Sequence, residues 1–334
     1  MSAATTPPPP APPAPPPRGS FTRRRIAVTF VKGDGNFAST NSNTVTLSGL
    51  RVNCTISQAG GKSMGALDLR VFGMTETMMN ELTYVGKYLA VEGASGTIVQ
   101  VQAGTDETGL TLVYQGTVST AIAEYGAAPE VPFHVMAMTG LGAAMSTPPP
   151  LSYSGSPDAS VVMADIARGA NLFFENNGVS NAPVNNCYYH GSALDQLQKC
   201  ADEAGIEMAI VNDKVAIWPK GGSRGGLIPL VSPSTGMVGY PVKTPIGINF
   251  VSLFNPSIKP FSQVQVETSL PKCNGTWTIK LLDYSLESEA PGGEWFIAAT
   301  CLSPLDAIPV GQEQTPPPPT PPLPTPPTPP AKTS

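Results

Sequence analysis

Gln263-Val-Gln-Val-Glu267 and Thr276-Trp-Thr-Ile-Lys-Leu-Leu-Asp-Tyr284 alternate apolar with polar residues, Val264 and Val266 on one side of the first run, Trp277 and Ile279 on one side of the second. A period of two is the pattern of a strand with one face buried. Pro291-Gly-Gly-Glu294 supplies a turn, so the region from Thr276 to Ser288 pairs back on Glu294–Leu302 as a hairpin. Leu227–Leu230 and Ile246–Leu253 read as further strands. This last segment is therefore a β-barrel or a sandwich.

Working outward toward the N-terminus, Gly221-Gly-Ser-Arg-Gly-Gly226 is a flexible hinge. Before it the period changes. Ser192–Ala204 reads as a helix with Ser192 as N-cap and Gly205 as stop, and Ser160–Asn176 as another, stopped by Asn177-Gly178. Glu207–Val211 and Lys214–Trp218, joined by Asn212-Asp213, complete a small αα-ββ unit. Pro148-Pro149-Pro150 marks its upstream boundary.

Upstream of those prolines the chain reads as strands again. Ile26–Val31, Thr44–Leu47, Arg51–Ser57, Ala66–Phe72, Tyr88–Glu92, Thr97–Ala103, Leu110–Thr120 and Pro132–Met138 are short and alternating. Asp34-Gly35 is a favoured hairpin pair. One helix, Thr75–Val85 with Thr75 as N-cap, interrupts them. Many short strands at regular spacing suggest a small closed barrel, which leaves no edge to aggregate.

The two ends differ from everything between them. Residues 1–18 and 315–334 hold more than half of the 38 prolines. Such runs favour extended polyproline II and lack the apolar bulk to offset ordering. They are read as disordered arms, which act either as ligands for aromatic grooves or, more plainly, as spacers. The body left is about 295 residues, enough for two or three domains. The chain is expected to divide into an arm (1–20), a first barrel (21–147), a small α+β domain (148–222), a second barrel (223–310) and a second arm (311–334).

Only 13% of residues are charged and the net charge is −5. That is about half the usual charged fraction. It suits a surface covered by neighbours, and it argues against a general nucleic-acid binder, which shows a basic patch. No stretch approaches the roughly 20 apolar residues of a membrane span, and no signal-peptide layout is present. The five cysteines, Cys54, Cys187, Cys200, Cys273 and Cys301, are odd in number and never paired as C-x-x-C, so they read as free thiols in a reducing compartment. Arg23-Arg24-Arg25 has no interleaved aromatics; it either meets a neighbouring chain or guards a barrel rim.

His134 and His190 have no second histidine, cysteine pair or carboxylate at ligand spacing, and read as half-buried strand or loop residues. Cys187 lies near His190 in sequence, but proximity along the chain does not place a nucleophile and its base together in a fold. Gly61-Lys62-Ser63 would end a phosphate-binding loop only if position 56 were glycine, and it is Ile56. Glu287 with Glu289, and Asp202 with Glu203, are ordinary solvated carboxylates. The expectation is no catalytic residue, no metal and no cofactor.

Three stretches carry a resemblance. Ser232-Pro-Ser-Thr-Gly-Met-Val-Gly-Tyr-Pro241, then Gly247-Ile-Asn-Phe-Val-Ser-Leu-Phe-Asn-Pro256, then Val264-Gln-Val266, resemble the baseplate hub proteins of tailed bacteriophages. There a Gly-Met-x-Gly-Tyr-Pro turn precedes a strand ending in Leu-Phe-Asn-Pro. The matching positions here are Gly236, Met237, Gly239, Tyr240 and Pro241, with Leu253, Phe254, Asn255 and Pro256. The stretch Ile206–Trp218 with the Ile-Trp-Pro-Lys-Gly ending at Ile217–Gly221 is similar to the family's central domain, and Arg25–Phe30 with Leu67–Gly73 to its first barrel.

The resemblance covers about residues 21–305 and implies a β-rich α+β chain, with two tail-tube-like barrels on either side of a small αα-ββ domain. It implies a non-enzymatic homotrimer, made in the host cytoplasm, that forms a ring in the virion tail. The ring would end the tail tube, take the tape-measure protein's end, meet baseplate wedge proteins and seat the central spike, with DNA only passing through the lumen. The assembly residues would be the nine just named. Two alternatives stand beside it: a cell-wall hydrolase at the tail tip, and a host-receptor-binding tail component.

Overall fold

The computed structural model describes residues 22–303, apart from 39, 61–62 and 86–95. The proline arms and the expected strand Tyr88–Glu92 lie outside the described residues.

The first segment contains β1 (Arg24–Val31), β2 (Thr44–Ser48), β3 (Val52–Ala59), β4 (Ala66–Phe72), α1 (Glu76–Leu82), β5 (Tyr84–Val85), β6 (Ile98–Thr105), β7 (Gly109–Ala123) and β8 (Pro132–Met138). The middle holds α2 (Leu141–Met145), β9 (Leu151–Ser152), α3 (Ala159–Gly169), β10 (Phe173–Asn176), β11 (Tyr188–Tyr189), α4 (Ala193–Ala204), β12 (Ile206–Val211) and β13 (Lys214–Pro219). The last contains β14 (Leu230–Val231), β15 (Met237–Lys243), β16 (Gly247–Leu253), β17 (Gln263–Val266), β18 (Gly275–Ser288) and β19 (Trp295–Leu302).

Alternation decides which side of each strand is buried. In β1, Ile26, Val28 and Phe30 turn inward and meet Ala103, Val101 and Val99 of β6 in register. In β3 and β4, Cys54 and Ile56 pair with Leu69 and Leu67 on the same inner face. Each such large side chain, once fully buried, contributes about 1.5–3 kcal/mol.

The first and last segments share one sheet. Its ladder runs β15-β16-β19-β18-β3-β4-β8-β7-β6-β1-β2, with β5 beside β7 and with β17 and β14 beside β18. The junction is β18 against β3, antiparallel from Leu281↔Ala59 to Ser288↔Val52. One hydrophobic core accordingly spans both segments, from Ile26 to Cys301. Sequence reading leads to two barrels and does not say how they meet; the structure joins the strands of both segments by backbone hydrogen bonds. Among the described residues the ladder ends at β2 on one side and at β15 on the other.

The middle segment builds its own core. Helices α3 and α4 cover the sheet β10-β13-β12 with Val162, Met163, Ile166, Leu197 and Cys200 against Val215 and Ile217. A capping box fixes the start of α4, Ser192 with Asp195, and Gly205 ends it in the left-handed conformation. The expected helix over Ser160–Asn176 is shorter. It stops at Gly169, Asn171 takes φ +56°, and Phe173–Asn176 becomes a strand parallel to β13. The aromatic pair that prolonged the helical pattern is thus part of a strand.

The opposite face of that small sheet meets the last segment. Ala209, Val211, Ala216 and Trp218 pack on Phe261, whose ring stacks on Trp218 at 5.5 Å. Phe261 holds φ +65°, an unfavourable conformation for a bulky residue, and its carbonyl accepts from Arg224 N at 2.7 Å.

Candidate assembly surface

The Gly-Met-x-Gly-Tyr-Pro stretch is a strand and not the turn that its sequence suggests. Met237–Lys243 forms β15, the last strand of the ladder, pairing Met237↔Ser252 and Val238↔Val251, then Val242↔Asn249 after a bulge. The bulge absorbs Gly239, Tyr240 and Pro241. An edge strand is where a sheet tolerates proline, because no ladder bond depends on its missing donor. Turn-forming residue types therefore mark an irregular edge here.

Gly236 begins the strand at φ +112°, and its carbonyl accepts from Leu253 N at 2.8 Å and from Ser252 Oγ at 3.1 Å. A side chain there would be strained by the backbone and would press on Leu253, 3.4 Å from the position of a Cβ. Met237 is buried, whereas Tyr240 is 70% exposed. Pro241 is buried and its carbonyl faces the Cys273 thiol at 4.0 Å.

Phe254 leaves β16 and inserts between aromatic rings, edge-on to Trp295 at 5.4 Å and tilted to Tyr284 at 6.3 Å. Its amide donates to Trp295 O at 3.0 Å. Asn255 Oδ1 accepts from Ser257 N at 2.9 Å, a local turn that leads through Pro256. The structure thus brings Gly236 and Met237 beside Leu253, with Phe254 and Asn255 just beyond. Tyr240 and Pro241 stand farther along the hairpin.

A second surface was not legible from the sequence. The outer side of β18, β3, β4 and β8 forms rows across strands, of which one reads Glu287, Asn53, Arg70, His134 and another Asp283, Ser57, Ala66, Met138. Its charged groups are Asp283, Glu287, Lys280, Asp68, Arg70 and His134. Arg70 lies 3.0 Å from Asp68 and 3.7 Å from Glu124, and His134 reaches Glu124 at 2.8 Å and Asp68 at 3.2 Å. Sequence spacing gave His134 no carboxylate partner; neighbouring strands supply two. The group ties β4, β8 and the end of β7 together.

His190 stacks on Tyr188 at 5.5 Å. All five thiols are free and buried, and burial pushes Cys200 and Cys301 up to about 12. Among the described residues no cluster of His, Cys, Asp or Glu could hold a metal ion, and no helix is long and apolar enough to cross a membrane. A cleft of about 400 Å³ lies between the middle segment and β18, flanked by Glu207, Lys280, Trp218 and Phe261. Lys280 pairs there with Glu207, which also accepts from Trp218 Nε1 at 2.8 Å. Burial opposes ionisation of Glu207, yet these donors hold its carboxyl below the usual range.

Comparison with known proteins agrees with this architecture. The fold is similar to a 43 kDa tail protein of prophage MuSo2 from Shewanella oneidensis, with TM-score 0.55 and 10% identity over 84% of this chain and 97% of that one. It is equally similar to a tail protein from Neisseria meningitidis MC58, with TM-score 0.55 and 7% identity over 83% and 96%. A chain of a PdpA–VgrG complex matches with TM-score 0.50 and 7% identity over 85% and 65%. No curated protein sequence matches. The family model described as baseplate hub gp41 matches residues 25–301. A β-rich chain whose strands from both segments form one sheet, matched over nearly its whole described length, belongs to the baseplate hub gp41 family.

Proposed function

We propose that this chain is the hub subunit that ends the tail tube, closes as a homotrimeric ring around the DNA channel and seats the central spike. The observation that carries the reading is the single ladder from β2 to β15, which makes one stiff wall from two segments. Each segment acts as a barrel-like unit of that wall, with residues 148–222 as a separate unit beside it.

The outer face of β18, β3, β4 and β8 suits a channel lining. Its cations are balanced, Arg70 by Asp68 and Glu124 and Lys280 by Glu207, so a polyanion gains little counterion release by lingering there. A low-charge surface elsewhere suits large permanent contacts with the tube, the tape-measure protein and the baseplate wedges. The hairpin carrying Gly236–Pro241 and Leu253–Pro256 is the assembly motif in this reading. The chain would be made in the host cytoplasm and would act in the virion tail without enzymatic chemistry.

Electron microscopy of particles carrying a tag on this chain tests the proposal. A three-fold ring at the tube end, with an axial channel, is the expected image. Label at a distal fibre, or a lytic band when the purified chain is run on peptidoglycan zymograms, would refute it.

A further inference from the structure

The strands of the first and last segments repeat one order. β3-β4-β8-β7-β6 and β15-β16-β19-β18-β17 are runs of the same kind, every neighbouring pair antiparallel. Their registers coincide as well. β7 bulges against β8 between Val118 and Thr120, and β18 bulges against β19 between Ile279 and Leu281. From the residue after each bulge, the paired positions across the sheet are Thr120, Met136, Asp68 and Thr55 in one run. In the other they are Leu281, Thr300, Asn249 and Val242. β15 is thus the counterpart of β3, and β7 the counterpart of β18.

The two runs differ in what meets their edges. β3 lies against the end of β18 past its bulge, with Thr55 opposite Ser285. Among the described residues no strand lies on the outer side of β15, where Tyr240 is 70% and Val242 62% exposed. An apolar face beside an unpaired edge invites pairing with another chain. The end of β7 past its bulge carries only β5, with Tyr84 on Ala121 and Val85 on Thr120. The halves of the β3–β18 junction therefore recur, unjoined, at β15 and at the end of β7. Within one chain β16, β19, β18, β3, β4 and β8 stand between them.

We infer that β15 of one chain pairs antiparallel with the end of β7 in a second copy, as β3 pairs with β18 within the chain, and that β5 gives way to it. Glu124 follows Thr120 by four residues as Ser285 follows Leu281, so Val242 falls opposite the second copy's Glu124. The contact joins two different surfaces, and such head-to-tail contacts generate a ring when the rotation closes. The inference rests on the ring proposed above and names the strands that close it. In the free subunit β5 covers the β7 edge, so pairing waits until a second copy displaces it.

Cross-linking in assembled tails tests it. The native thiols are buried, and Val242 and Tyr125, the latter one residue past Glu124, are both exposed. Treated with a short bismaleimide, tails carrying V242C/Y125C should yield chains linked to one another, and tails carrying either single variant should not. Hydrogen exchange on the unaltered chain gives a second readout that no substitution can disturb. Amides of Val238–Lys243 should exchange about tenfold more slowly or less in tails than in the free chain. Equal exchange in the two states would overturn the inference. So would linkage by V242C alone, which sets β15 against β15. A three-fold ring in micrographs without linkage or protection sinks this pairing and leaves the hub standing, whereas absence of a ring removes the reading on which it rests.

Discussion

Arg224 grips Glu175 with two parallel hydrogen bonds, Nε to Oε1 and Nη2 to Oε2, each 2.8 Å long. The same arginine donates its backbone N–H to Phe261 O, so it links the middle segment to the last one. Hydrogen bonding from Arg224 holds the Glu175 carboxyl at about 2, well below its usual range.

Acid should therefore loosen this contact in a defined window. A carboxyl whose folded pKa is depressed stabilises the fold fully above its unfolded pKa of about 4.5, and loses that contribution as pH falls toward 2. Thermal unfolding followed from pH 6 to pH 2.5 should show this loss, and R224A should flatten part of it. At neutral pH that variant is expected to cost about 2 kcal/mol.

Trp218 and Phe261 form the apolar half of the same junction. W218A should cost about 3–5 kcal/mol, because its side chain is buried and leaves a void against Ala209 and Val211. A double-mutant cycle with F261A should return a coupling of about 0.5–1.5 kcal/mol for the stacked pair. Coupling near zero in urea unfolding would show that the rings do not hold the junction.

Gly247 has no room for a side chain. A Cβ there would sit 1.8 Å from Cys301 O, inside the β16–β19 ladder. G247A is expected to lose about 2 kcal/mol or more of stability in chemical denaturation. Y240S, on an exposed side chain, should change stability by no more than about 0.5 kcal/mol. If the hairpin is the assembly motif, Y240S should nonetheless reduce incorporation into particles, measured by complementation.

The thiols supply a fourth check. Every cysteine is buried, and burial alone keeps Cys301 in its protonated form far above neutral pH. A thiol reagent at pH 8 should label the native chain slowly and all five cysteines at once after unfolding. Rapid native labelling of Cys54 or Cys301 would contradict the burial of the shared core.

Strands were legible wherever apolar and polar residues alternate. Ala66–Phe72 and Pro132–Met138 have the bounds that the sequence suggests, and Trp295–Leu302 starts one residue inside the expected Glu294–Leu302. What alternation does not carry is partnership. Nothing in Val52–Ala59 or in Gly275–Ser288 names the other, so the junction between the two segments is visible only in the ladder. β15 was missed for a different reason: Gly236, Gly239 and Pro241 are turn residues by type, and only an edge position lets them lie in a strand. Gly236–Pro241 and Leu253–Pro256 were found through likeness to a family, and the structure shows them meeting at Gly236 and Leu253. The Asp68, Glu124 and His134 cluster was invisible because its members are far apart in the chain.

The pairing of β3 with β18 also sets a timetable for synthesis. Asn53 hydrogen-bonds Glu287 across 234 residues of chain, so one edge of β3 has no mate until the ribosome has nearly finished. At about 5–20 residues per second that interval is roughly 10–50 seconds. For all that time the nascent first segment presents a bare strand to its neighbours on the polysome, and translation speed or chaperone supply decides how many chains survive to close the sheet.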